Sequence, residues 1–143
     1  RLISSSFMVS ADNAHALHPN YTDKSDLTNK VYMNDGIVIK YNANQKYTTD
    51  GMAFAVFKQI CEKANVPTQV FHNRSDILGG STLGNISGNQ VAVNSVDIGL
   101  PQLAMHSPYE TAGIKDTGYL VEAAKTFFET SCVETEYGVY ELQ

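Results

Sequence analysis

Between Asn34 and Phe71 the chain spells strand, helix and strand in direct succession, and that order narrows the fold more than any other feature. Ile37, Val38 and Ile39 are β-branched and follow the turn-forming Asn34-Asp35-Gly36, the pattern of a strand leaving a turn, with Lys40 delivered at its far end. Thr49 or Asp50 can cap the helix that follows. Ala53, Val56, Phe57, Ile60, Cys61 and Ala64 recur at helical spacing until Pro67 forbids continuation. Thr68 to Phe71 then reads as a short strand. The sequence therefore predicts an α/β fold, a layered sheet with flanking helices, in preference to an all-β sandwich.

The rest of the chain fits around that unit. Leu2 to Ser10 ends in the apolar Phe7-Met8-Val9 and stops at Asp12, which reads as a buried strand running into a functional turn. Pro19 to Gly36 is polar and turn-rich and reads as an irregular surface loop. Gly79 to Gly84 forms a glycine-rich bend. Val91, Val93, Val96 and Ile98 mark a later strand closing at Gly99 and Pro101. A final helix is expected from near Asp116, with Leu120, Ala123, Ala124, Phe127 and Phe128 as its apolar stripe. Glu134, Glu136 and Glu141 sit on a solvated tail. No internal repeat or low-complexity linker interrupts the 143 residues, so residues 1–143 read as a single domain.

Charge and cysteine usage exclude several functions. A net charge of -5 and the absence of any basic cluster leave nothing to displace counterions from a phosphate backbone, which argues against a nucleic-acid partner. Cys61 and Cys132 are far apart and neither belongs to a CxxC pair, so reduced thiols in a cytoplasm are expected rather than a disulfide framework or zinc ribbon. No apolar run approaches the roughly 20 residues of a membrane helix. The chain does not open on Met, as expected of a processed product or an excised piece of something longer.

Two places can carry chemistry. The run Val9 to Asn20 puts Asp12, His15 and His18 within a few residues of a strand end. A carboxylate beside imidazoles is by default a hydrogen-bonded turn, and the alternative is a zinc site, because a hard carboxylate and borderline imidazoles are donors that zinc accepts. His106, in Leu103-Ala104-Met105-His106-Ser107, lies just beyond a buried strand, where structural and ligating roles both remain open. The glycine-rich bend carries no following Lys and is no phosphate loop. Cys61 falls on the core face of its helix and reads as packing.

The motifs Ser10-Ala11-Asp12-Asn13-Ala14-His15-Ala16-Leu17-His18-Pro19-Asn20, Gly36-Ile37-Val38-Ile39-Lys40 with Asn42 to Tyr47, Arg74-Ser75-Asp76, Gly80-Ser81-Thr82-Leu83-Gly84 and Val96 to Ser107 succeed one another along the chain. In that order and approximate spacing they resemble the aspartyl aminopeptidase and vacuolar aminopeptidase I family. The resemblance implies a binuclear zinc exopeptidase, with two Zn²⁺ per intact subunit, that removes an N-terminal and often acidic residue from peptides and assembles into a large homo-oligomer. The family's donors run in the order His, bridging Asp, a Glu base followed by a Glu ligand, Asp, His. By motif position Asp12 and His106 correspond to the last two, while His15, Lys40 and Tyr47 fall on positions near the substrate. The first His, the bridging Asp and the Glu pair have no counterpart in these residues. The implied chain is the carboxy-terminal part of the catalytic domain, inactive by itself and needing the missing amino-terminal portion. A non-catalytic assembly or folding piece that pairs with that half is the competing reading. A third is a single-metal site in which Asp76 or Asp97 joins Asp12 and His106.

Overall fold

A computed structural model describes residues 2–143, and Arg1 lies outside the described residues. Strand β1 spans Phe7–Ala11, β2 Ala14–His15, β3 Ile37–Tyr41 and β4 Thr68–His72. Helix α1 spans Gly51–Lys63 and the short α2 Leu83–Gly88. Then come β5 Asn94–Gly99, β6 Pro101–Leu103, β7 Thr111–Ala112 and helix α3 Ile114–Glu129. The chain closes with β8 Cys132–Glu136 and β9 Val139–Leu142. The main sheet has the order β1-β5-β3-β4, a second sheet has the order β2-β6-β7, and β8 and β9 pair by themselves. The α/β architecture expected from the sequence is what the chain forms.

The central strand–helix–strand unit forms for the local reasons its residues give. The Asp50 carboxylate accepts the Ala53 N–H at 2.7 Å and caps α1, which buries Ala53, Val56, Phe57, Ile60 and Cys61. The helix stops in a Schellman turn. Asn65 takes φ 54°, Val66 N donates to Cys61 O and Asn65 N to Glu62 O, so the last carbonyls are satisfied before Pro67 turns the chain into β4. Gly36, at φ 109°, opens β3 against Pro67, where an added Cβ would stand 2.1 Å from the Pro67 carbonyl oxygen.

Strand alternation sorts the sheet into two unlike faces. Ile37, Ile39, Val96 and Ile98 point to the helix side and form the main core with Ala53, Phe57, Cys61 and Ala123. The opposite face carries Ser10, Asp97 and Lys40, all buried, together with Val38 of a smaller cluster with Ala14 and Val31. A polar row on the buried underside of a sheet is costly unless each group is bonded. Beyond β1 and β5 the chain continues into β2 and β6, and Ala14, His15, Gln102 and Leu103 of these strands line one cleft together with Lys40.

Several boundaries differ from the sequence expectation. The first strand starts at Phe7 because Ile3–Ser5 closes a 3-10 turn. The later strand starts at Asn94, since Val91 N is taken by Ser87 O in the exit from α2. The polar Pro19–Gly36 loop contains a 3-10 turn at Thr22–Lys24 and buries Val31. Helix α3 begins at Ile114, with Asp116 inside its first turn rather than at the cap, and Phe128 is 84% exposed rather than part of the stripe. The tail is a hairpin: Tyr137-Gly138, with Gly138 at φ 78°, reverses β8 into β9. Among the described residues no helix is long and apolar enough to cross a membrane.

Candidate functional site

Strands β1 and β5 are parallel neighbours, with Ser10 opposite Asp97, so both deliver the residues that follow them to the same edge of the sheet. After β1 the backbone runs alongside the chain that leaves β5. Asp12 N donates to Ile98 O, Ala14 N to Leu100 O and Ala16 N to Gln102 O. Gly99 makes this approach possible, because a Cβ there would fall 2.3 Å from the Asp12 carbonyl oxygen. Asp12 is thereby held at the sheet edge, exposed, with Oδ1 accepting the Asn13 N–H at 2.7 Å.

His106 reaches the same region from the other direction. Beyond β6 the chain turns through Ala104 at φ 55° and His106 at φ 69°, two left-handed residues with side chains, a conformation L-residues adopt only under constraint. His106 N donates to Glu110 Oε1 at 2.6 Å, which ties down the turn that presents the ring.

Lys40, which the resemblance places near the substrate, is buried without any local sequence sign of it. It is 2% exposed, and its ammonium donates to the Asn13 carbonyl at 3.2 Å and stands 5.3 Å from the centroid of the Tyr47 ring. Burial pushes its pKa down, while the negative charges of Asp12 and Asp97 act in the opposite sense. Tyr47 is buried edge-on against Phe71, and burial raises its phenol, an effect partly offset by a hydrogen bond with Asn73. His15, on β2, has its pKa lowered first by loss of hydration and then by the neighbouring His106 and Lys40.

All five sequence-designated residues, Asp12, His15, Lys40, Tyr47 and His106, line one cleft of about 410 Å³. Residues that sequence reasoning did not single out complete its wall. Thr82 and Gln102 are buried there, and neither Thr82 Oγ1 nor Gln102 Oε1 has a hydrogen-bond partner among the described residues. No local spacing could have flagged them; both merely sit inside the longer motifs. The single-metal arrangement does not assemble. Asp76 is paired with Arg74 at 2.6 Å, Asp97 is turned inward to Thr48, and no group of three or more His, Cys, Asp or Glu side chains able to hold a metal is found among the described residues. The donor chemistry of Asp12 and His106 suits zinc, but two donors fall short of a complete shell.

The cleft thus lies on the polar side of an α/β layer, with Asp12, His15, Lys40, Tyr47 and His106 along its wall. Residues 1–128 match the family described as aminopeptidase I zinc metalloprotease (M18), and the chain belongs to that family. It is 49% identical over 128 residues to the probable M18 family aminopeptidase 2 of Clostridium novyi, covering 90% of this chain and 30% of that protein. With the probable aspartyl aminopeptidase of Ricinus communis the identity is 47%, over 90% of this chain and 26% of the relative. Among solved structures, a cryo-EM complex of Ape4 and Nbr1 superposes with a TM-score of 0.87 at 42% identity, over 89% of this chain and 24% of that one. The S. cerevisiae mApe1 dodecamer gives 0.79 at 26% identity, over 90% and 28%. The chain thus spans under a third of the length of these relatives.

Proposed function

We propose that this chain is the carboxy-terminal portion of a two-zinc metalloaminopeptidase that removes N-terminal, preferentially acidic, residues from peptides, and that it is inactive without the amino-terminal portion of the same enzyme. The observation that carries the reading is the convergence of Asp12, His106 and the buried Lys40 on one cleft of a chain belonging to a zinc-peptidase family. Asp12 and His106 would each contribute one donor to a different zinc ion. Zinc, when bound, supplies Lewis-acid polarisation of the scissile carbonyl and activation of a water.

The chain's own residues account for binding and orientation. Lys40 offers a desolvated ammonium to an acidic side chain, where a charge-assisted hydrogen bond is stronger than in water. Tyr47 walls that ammonium on one side, and His15, on the wall of the same cleft, can hydrogen-bond the peptide. The bridging carboxylate and the general base belong, in this reading, to the amino-terminal portion, so no turnover is assigned to these residues alone. A cytoplasmic, homo-oligomeric parent is part of the proposal. The dodecamer of the related mApe1 supports its oligomeric part.

The test is substitution in the full-length enzyme carrying this sequence. Asp12→Ala and His106→Ala should each reduce zinc content and abolish most aminopeptidase activity while circular dichroism remains native. Wild-type activity with either change would remove the site assignment.

A further inference from the structure

We propose that Asp97 is the positioning residue of the substrate pocket: from the middle of the main sheet its carboxylate holds Thr48, and through Thr48 it keeps the Tyr47 ring against the Lys40 ammonium. The inference rests on the reading of Lys40 and Tyr47 as substrate-binding residues and adds to it the element that sets their geometry.

Asp97 is 0% exposed, and no Lys, Arg or His forms an ion pair with it among the described residues. Its bonds go instead to one short loop. Oδ2 accepts the Thr48 N–H at 2.6 Å and the Thr48 hydroxyl at 2.9 Å. The main chain adds two more: Asp97 N donates to Thr49 Oγ1 at 2.9 Å, and Thr49 Oγ1 donates to Asp97 O at 3.4 Å. Residues 48 and 49 positions apart in sequence are locked together by side chain and backbone at once. The loop so held is the one that carries Tyr47, whose ring centroid lies 5.3 Å from Lys40 Nζ.

The clamp is sealed from above. An added Cβ on Gly84 would stand 2.8 Å from both Asp97 carboxylate oxygens, so only a glycine lets α2 lie this close, and Gly84 N donates to Ser10 Oγ beside it. With water kept out, the bonds to Thr48 act in a low-dielectric setting and hold the loop rigidly. Helix initiation does not require them, since Asp50 caps α1 by itself. A buried carboxylate is a poor way to gain stability, because well-packed apolar residues often serve as well. What these bonds do fix is the position of Tyr47 over the cation.

Steady-state kinetics of the full-length enzyme on Asp- and Leu-terminated peptides test the proposal. Asp97→Asn should raise KM for the Asp peptide about 10-fold, the loss of one charge-assisted bond, with kcat within about twofold and a smaller change on the Leu peptide. Thr48→Val should shift KM in the same direction, and Thr48→Ser, which keeps the hydroxyl, should restore it. If Asp97→Asn does not fold, the Thr48 pair decides alone. Equal losses on both peptides, a loss confined to kcat, or failure of Thr48→Ser to rescue would overturn the clamp. Lys40→Met separates the two levels. If it lowers both peptides equally, the substrate-pocket reading falls and the clamp with it. If it removes acidic preference while Asp97→Asn and Thr48→Val leave that preference intact, only the clamp falls.

Discussion

Asp116 and Gly36 lie 80 positions apart in sequence and meet in a buried hydrogen bond, Gly36 N donating to Asp116 Oδ1 at 3.1 Å. The other carboxylate oxygen of Asp116 accepts the Asn34 N–H at 2.6 Å, so one side chain on the first turn of α3 closes the turn that launches β3. Asp116→Ala leaves two backbone donors without their acceptor and should cost about 3 kcal/mol or more, with Asp116→Asn, which keeps one acceptor oxygen, near half of that. Urea unfolding followed by circular dichroism measures it. A loss below about 1 kcal/mol would mean that water replaces the carboxylate freely.

Gly99 should prove as sensitive as a metal donor although it holds no functional group. A methyl group there would fall 2.3 Å from Asp12 O and 2.9 Å from Ala14 N, so Gly99→Ala must push the Asp12–Ala14 segment away from β5. Displacing a site residue by about 1 Å can cost about 100-fold in rate. In the full-length enzyme the variant should lose zinc and activity together while remaining folded. Normal zinc content with normal activity would show that the segment absorbs the methyl without moving Asp12.

The isolated chain should bind Zn²⁺ weakly and without a two-to-one stoichiometry. Tight zinc sites take three or four protein donors, and no such group is gathered among the described residues. Calorimetric titration of the chain gives the answer directly. Two tight sites per chain would contradict the need for donors from the amino-terminal portion.

Cys61 and Cys132 should differ in reactivity. Burial pushes the Cys61 thiol up to about 12, while Cys132 is half-buried with a pKa raised from the same cause. At pH 8 iodoacetamide should modify Cys132 in the folded protein and reach Cys61 only in urea. The linkage has a definite sign. Between the ordinary thiol value of 9.0 and about 12 the folded state keeps a proton at Cys61 that the unfolded state has lost, so this contribution is fully present below 9.0 and declines as pH rises. The slope is up to about 1.4 kcal/mol per pH unit, and Cys61→Ala should lack it. Equal alkylation of both thiols in the native protein would refute the buried assignment.

What the sequence disclosed was what its neighbours in sequence decide. The turn at Gly36, the Asp50 cap, the apolar stripe of α1 and its arrest before Pro67 all depend on residues a few positions apart, and each formed as expected. The three-residue apolar run before Lys40 hid the sorting of β3 into two faces. Ile37 and Ile39 join the main core, whereas Val38 and Lys40 share the side that bears the cleft, and a lysine ending a strand gives no local sign of being buried. Asp97 and Asp116 were equally opaque. Read locally they were a possible ligand and a helix start, yet both accept backbone N–H groups from segments far away in sequence. The hairpin β8–β9 did leave a signal, Tyr137-Gly138 between two alternating stretches, which the glutamate-rich composition obscured.

The partnership of β1 with β5 also bears on the order in which these residues fold. Among the described residues Phe7–Ala11 pairs only with Asn94–Gly99, and β3, α1 and β4 lie between them along the chain. Bringing together strands so far apart in sequence is slow compared with forming a local helix. Asp12, which follows that strand directly, should therefore take its place later in refolding than the locally bonded residues of α1. Pulse-labelled hydrogen exchange during refolding should find the amides of Val9 to Asp12 protected after those of α1.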